Sequence, residues 1–137
     1  MHLLPLPRFS PRARLAVLAL VLSVTAALAA DFPYDQELLL DAAPMRGSKR
    51  VPSLEVGAKG EASIDLWCNT VPAQLVVAGD TITILTGTMT KKQCEAERMQ
   101  ADDALLAALQ DVTGWRMGAT VLTLSGSREL RFRLSTH

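Results

Sequence analysis

Histidine is all but missing from this chain. The two it has, His2 and His137, stand at its extremes. That excludes Ser-His-Asp and Cys-His nucleophile arrangements inside the domain. It also excludes most zinc sites, which take His or more Cys than the two present. A membrane-spanning run is missing too. The apolar stretch at residues 15–28 is about fourteen residues long, short of the roughly 20 that cross a bilayer as a helix. No cysteine closely follows it, so no thiol is placed for a lipid anchor. Net charge of either sign is absent, with 14 Lys and Arg against 14 Asp and Glu. A chain so balanced is not built to neutralise phosphates, which argues against a nucleic-acid partner. Internal repeats and low-complexity tracts are absent as well.

What is present begins with the N-terminal segment. Arg8, Arg12 and Arg14 precede the apolar run, and Ala27-Leu28-Ala29 follows with a small-x-small pattern. Together these read as a secretory signal peptide over residues 1–29. The expectation is a mature chain starting near Ala30, periplasmic or secreted, with no transmembrane span. About 108 residues remain, enough for one domain with one core. Three basic residues leave with the signal and no acidic ones, so the mature balance is eleven against fourteen, a net charge of −3. In an oxidising compartment, Cys68 and Cys94 read first as a structural disulfide. Its loop of about 27 residues would contribute on the order of 3.5 kcal/mol on the chain-entropy model. The alternative is two reduced cysteines packed as small hydrophobes.

Along the mature chain, residues 31–34 form a short leader and residues 36–40 a first strand. A basic loop at residues 46–50 follows, then a strand at residues 54–56 and a glycine turn at residues 57–60. Ala62, Ile64, Leu66 and Cys68 alternate with Glu61, Ser63, Asp65 and Trp67, which puts the first set, Cys68 included, on the apolar face of a strand. Residues 73–77 and 81–85 form a hairpin around Ala78-Gly79-Asp80. The period then changes. Residues 98–110 contain no Gly, Pro or β-branched residue, and Met99, Leu105, Leu106 and Leu109 mark the apolar side of an amphipathic helix. Three strands close the chain, at residues 113–117, 121–124 and 129–134. The fold expected is mostly β with one helix: about eight short strands in strands–helix–strands order, an antiparallel meander curled into a small, partly open barrel.

Several landmarks stand in a known order. Cys68-Asn69 ends a strand, a hairpin follows, and then Thr90-Lys91-Lys92-Gln93-Cys94. After these come the helical Asp102-Asp103-Ala104-Leu105-Leu106 and a strand with Leu122-Thr123-Leu124. This order resembles the META-domain family, the group that includes the heat-shock protein HslJ. The family pattern is Gly-Cys-Asn, Thr-x-x-x-Cys, a helix with an acidic residue ahead of a leucine stripe, and a Leu-x-Leu strand. The match runs over residues 54–134. Trp67 stands where the family has Gly, and Asp102 where it usually has Glu. On this reading residues 30–50 are a leader and first strand, and residues 51–137 the META/HslJ-like domain. The resemblance implies a cracked β barrel and an envelope protein of stress tolerance, and it carries over no catalytic residue.

The remaining chemistry-bearing residues each have a plain structural reading beside the functional one. Trp67, Asn69 and Trp115 are the candidate binding patch, since aromatic residues concentrate at contact sites. The structural alternative buries each indole under the helix or a loop and uses Asn69 to cap its turn. Arg46, Lys49, Arg50, Lys91 and Lys92 read as solvated loops that an anionic partner could use. Asp102 and Asp103 read as charges near the helix start, where a carboxylate suits the dipole. No catalytic residue, metal site or cofactor is implied. The expected function is non-enzymatic binding, with an envelope protein, peptide or apolar ligand as partner. The rivals are a carrier or secretion-pilot-like module that holds an apolar ligand or peptide in the barrel opening and, further off, a small hydrolase.

Overall fold

The structure, a computed structural model, describes residues 2–7, 21, 23 and 30–136. Most of the expected signal peptide lies outside them. Among the described residues no helix is long and apolar enough to cross a membrane.

Alternation builds the barrel. β1 (Glu37–Leu40), β2 (Ser53–Val56), β3 (Glu61–Asp65), β4 (Thr70–Ala78) and β5 (Thr81–Thr86) follow one another as an antiparallel meander. The helix α1 (Ala96–Gln110) intervenes before β6 (Gly114–Met117), β7 (Val121–Ser125) and β8 (Leu130–Leu134). β8 pairs with β1, with Leu39 opposite Arg133, and the sheet closes on itself. Leu38, Leu54, Val56, Ile64, Val71, Ile82, Leu122 and Phe132 are at most 2% exposed and fill the interior, as inward residues of small barrels do. β1 thus joins residues 30–50 to residues 51–136 in a single barrel.

One seam is thin. β5 and β6 share a single register pair, Thr81 with Gly114. β6 starts beside the start of β5 and runs on past it, so most of β5 has no strand on that side. The helix lies along β5 instead, and Gln110 Nε2 donates to Thr86 Oγ1 at 2.8 Å. Burial of Leu105, Ala108 and Leu109 seals the gap. The buried residues of the helix belong to the same cluster as Ile64, Leu66 and Phe132, while the strand beside it is β5. Beyond the helix, Gly126 sits so close to Asp111 that a Cβ there would meet the Asp111 carbonyl.

Two expectations need correction. The ladder of β3 ends at Asp65, and the Leu66 N–H bonds the Asn69 carbonyl at 2.7 Å. The alternation therefore stops short of Cys68, which sits half-exposed in a turn and not on the apolar face. The helix begins at Ala96, so Asp102 is its seventh residue, beyond the first turn where the dipole acts. Asp102 is fully buried on the inward face with Leu105, Ala108 and Leu109, while Met99 and Leu106 are half-buried at its edge.

Candidate functional site

A buried carboxylate is costly unless hydrogen bonds satisfy it. Asp102 meets that condition with backbone donors. Its Oδ1 accepts the Cys68 N–H at 3.0 Å and its Oδ2 the Asn69 N–H at 2.7 Å. The turn between β3 and β4 leaves these two N–H groups without ladder partners, and the helix supplies the acceptor. Asn69, itself buried, then reaches the other way. Its Oδ1 accepts the Thr90 hydroxyl at 2.8 Å and the Lys92 N–H at 2.7 Å. Thr90 Oγ1 in turn accepts the Thr70 N–H at 3.0 Å. The disulfide between Cys68 and Cys94, with Cα atoms 6.2 Å apart, completes the link. Residues 68, 69, 90, 94 and 102 form one knot that ties the β3–β4 turn, the segment after β5 and the helix together. Asn69 thus braces a neighbouring segment rather than capping its own turn.

The knot stands at the head of a groove of about 750 Å³. Its floor is a row of outward residues that lie opposite one another across five strands: Arg133, Leu39, Ser53, Asp65 and Thr70. Four strand spacings make that row roughly 19 Å long. The loop between β1 and β2, residues 47–51, forms one wall. Trp67, Cys68, Asn69, Lys92 and Arg98 form the head. Lys49, Arg50 and Arg133 also line the groove, against the acids Glu37 and Asp65. Asp65 accepts the Thr70 hydroxyl at 2.9 Å.

Of the expected patch, Trp67 and Asn69 meet in this groove and Trp115 does not. Trp115 donates its indole N–H to the Gly79 carbonyl at 2.8 Å and packs edge-on to Phe32, with centroids 5.2 Å apart. It lines a separate, mainly apolar depression of about 670 Å³ with Phe32, Tyr34 and Val77. Of the basic loop residues, Lys49, Arg50 and Lys92 enter the groove, while Arg46 and Lys91 do not line it. Sequence reasoning missed Arg98 and Arg133. Arg133 was legible as the outward partner in the Leu130–Phe132–Leu134 alternation; Arg98 carried no such signal. Among the described residues no three His, Cys, Asp or Glu side chains are grouped so as to hold a metal ion.

The site and fold define a class: a closed eight-stranded meander with a helix in its thin seam, braced by a buried acid and a disulfide. The META-domain family model matches residues 35–136, and the chain belongs to that family. No curated protein matches. Two solved structures share the fold. One NMR structure aligns at 20% identity and TM-score 0.59, covering 73% of this chain and 89% of its own. Another, of a protein from Burkholderia xenovorans, aligns at 22% identity and TM-score 0.60, covering 80% of this chain and 94% of its own.

Proposed function

We propose that this META-domain chain is exported to the periplasm or beyond and acts there by binding, in support of envelope integrity under stress. The observation that carries the reading is the disulfide-braced turn that holds Trp67 at the head of a polar groove. A disulfide suits an oxidising compartment, in keeping with the Arg-rich start and the Ala27-Leu28-Ala29 pattern. The interior is packed with side chains, so the outer face is what remains to recognise a partner. The arrangement of the groove's acids supports the non-enzymatic reading. Glu37 and Asp65 stand two strands and two register positions apart, roughly 12 Å between backbones on ordinary sheet spacings, and Asp65 is engaged by the Thr70 hydroxyl.

The carrier reading keeps one supporting observation, the apolar depression beside Phe32, Tyr34 and Trp115. A small hydrolase has none. Two experiments test the proposal. Mass spectrometry of the envelope fraction should find a mature start near Ala30; an intact Met1 start on most molecules overturns export. Pull-down from envelope extract should capture a partner that Trp67→Ala loses. A partner retained by Trp67→Ala and lost by Trp115→Ala would move the function to the apolar depression.

A further inference from the structure

Arg98 is the unusual cation of the groove. It stands on the groove side of the helix, half-buried, and its Nε–H is shut off from solvent with no acceptor. Charged groups are seldom left so, because an unmet donor costs the full desolvation of the group. Helix spacing provides two carboxylates at the right distance in sequence, Glu95 at i−3, which makes no ion pair with Arg98, and Asp102 at i+4. Both oxygens of Asp102 are committed to the Cys68 and Asn69 N–H groups, and no ion pair joins it to Arg98. Asp65, the acid across the groove, takes the Thr70 hydroxyl. Along its whole length the groove is lined by Lys49, Arg50, Lys92, Arg98 and Arg133, five cations against the two acids Glu37 and Asp65. Like charges lining one concave surface raise its positive potential and attract anions.

We infer that the groove binds a small organic oxyanion, a carboxylate or phosphate whose charged group is held by Arg98 and Lys92 and whose body lies toward Trp67. The Nε–H is closed to a ligand as it is to water, so the terminal guanidinium nitrogens of Arg98 are the ones left to pair with the planar or tetrahedral oxygens of such groups. The groove's volume falls within the roughly 300–1,000 Å³ of small-molecule sites. The phosphate could be free or part of a lipid headgroup, since the recognition chemistry is the same. The inference rests on the binding role proposed above and names the ligand class for that surface.

Trp67 and Trp115 are the two indoles of the chain, so Trp115→Phe leaves Trp67 as the single reporter. Its emission is followed during titration with phenyl phosphate, benzoate and the neutral benzyl alcohol, and with vesicles of phosphatidylglycerol or of phosphatidylcholine. The expected result is a saturable change with both aromatic anions and binding of the alcohol at least about tenfold weaker, the order of one charge-assisted hydrogen bond. Arg98→Gln should weaken the anions by a similar factor. The pair Lys49→Gln with Lys92→Gln, at two exposed positions, gives a second reading should Arg98→Gln fold poorly. A response to phosphatidylglycerol alone assigns the anion to a lipid headgroup. The inference is overturned if benzyl alcohol binds as tightly as the anions, if neither set of variants weakens them, or if no anionic probe alters Trp67. A partner captured by pull-down in a Trp67-dependent way, with no anion bound, would leave the binding role standing and remove only the oxyanion.

Discussion

Asp102 and Asn69 lie 33 positions apart and meet at 2.7 Å, a side-chain carboxylate on a backbone N–H, both shut away from water. The contact converts a helix residue into the missing ladder partner of a turn. Asp102→Ala would leave the Cys68 and Asn69 N–H groups without acceptors. Each such group costs about 1–3 kcal/mol, so the variant should lose roughly 2–5 kcal/mol in urea unfolding. Asp103, the exposed neighbour, is the control, and Asp103→Ala should stay within about 0.5 kcal/mol of the parent. Equal stability of the two variants would remove Asp102 from the knot.

The disulfide acts on the same turn. Cys68 and Cys94 are separated by 26 positions, and loop closure of that length contributes about 3.5 kcal/mol on the chain-entropy model. Cys68→Ser with Cys94→Ser should melt well below the parent, and a reductant should lower the parent's Tm toward the variant's. Alkylation under denaturing, non-reducing conditions should find no free thiol. Two labelled cysteines would show that the bridge is absent.

Much of this was legible, and for a reason particular to meanders. Each strand pairs with its neighbour in sequence, so period-two runs such as that ending in Leu130, Phe132 and Leu134 give both the strand and its inward face. What the pattern could not show lies where chain segments distant in sequence meet. Asp102 reads from sequence as a helix-start charge because nothing local marks the two N–H groups that need it. Sequence alternation alone puts Cys68 on the apolar face because it continues for three residues after the ladder has ended at Asp65. The groove was hidden for the same reason. Its floor takes one residue from each of five strands, and its head takes Arg98 from the helix. Trp67 and Trp115 read alike from sequence, yet only a three-dimensional arrangement puts one in the groove that Arg98 lines and the other against Phe32.

The helix leucines give a sharper test of the thin seam. Leu105 and Leu109 are at most 1% exposed, while Leu106 is half-buried. Truncation of a buried leucine typically costs 2–5 kcal/mol, of which part is the cavity left behind, so roughly that loss is expected for Leu105→Ala and for Leu109→Ala. Leu106→Ala should cost about 1 kcal/mol, near the centre of ordinary substitutions. Thermal melts of the three proteins check the order. A Leu106 variant as unstable as the Leu105 variant would mean that the helix is rotated about its axis from the face described.

Two glycines with positive φ separate backbone strain from steric exclusion. Gly79 (φ +60°) turns the β4–β5 hairpin with open space around the position a Cβ would take. Gly60 (φ +85°) ends the β2–β3 turn, and a Cβ there would run into the Leu75 carbonyl and the Gln74 side chain. The Leu75 N–H also bonds the Gly60 carbonyl at 2.8 Å, so the two backbones cannot separate without losing that bond. Gly79→Ala should cost only the left-handed penalty, about 1–2 kcal/mol. Gly60→Ala adds a backbone displacement at a buried position and a threatened hydrogen bond worth about 1 kcal/mol, so its loss should exceed that of Gly79→Ala by at least that amount. Urea unfolding of the two alanine variants measures the difference directly. If Gly79→Ala proved the more damaging, the close approach of Gly60 to β4 would not be part of the native barrel.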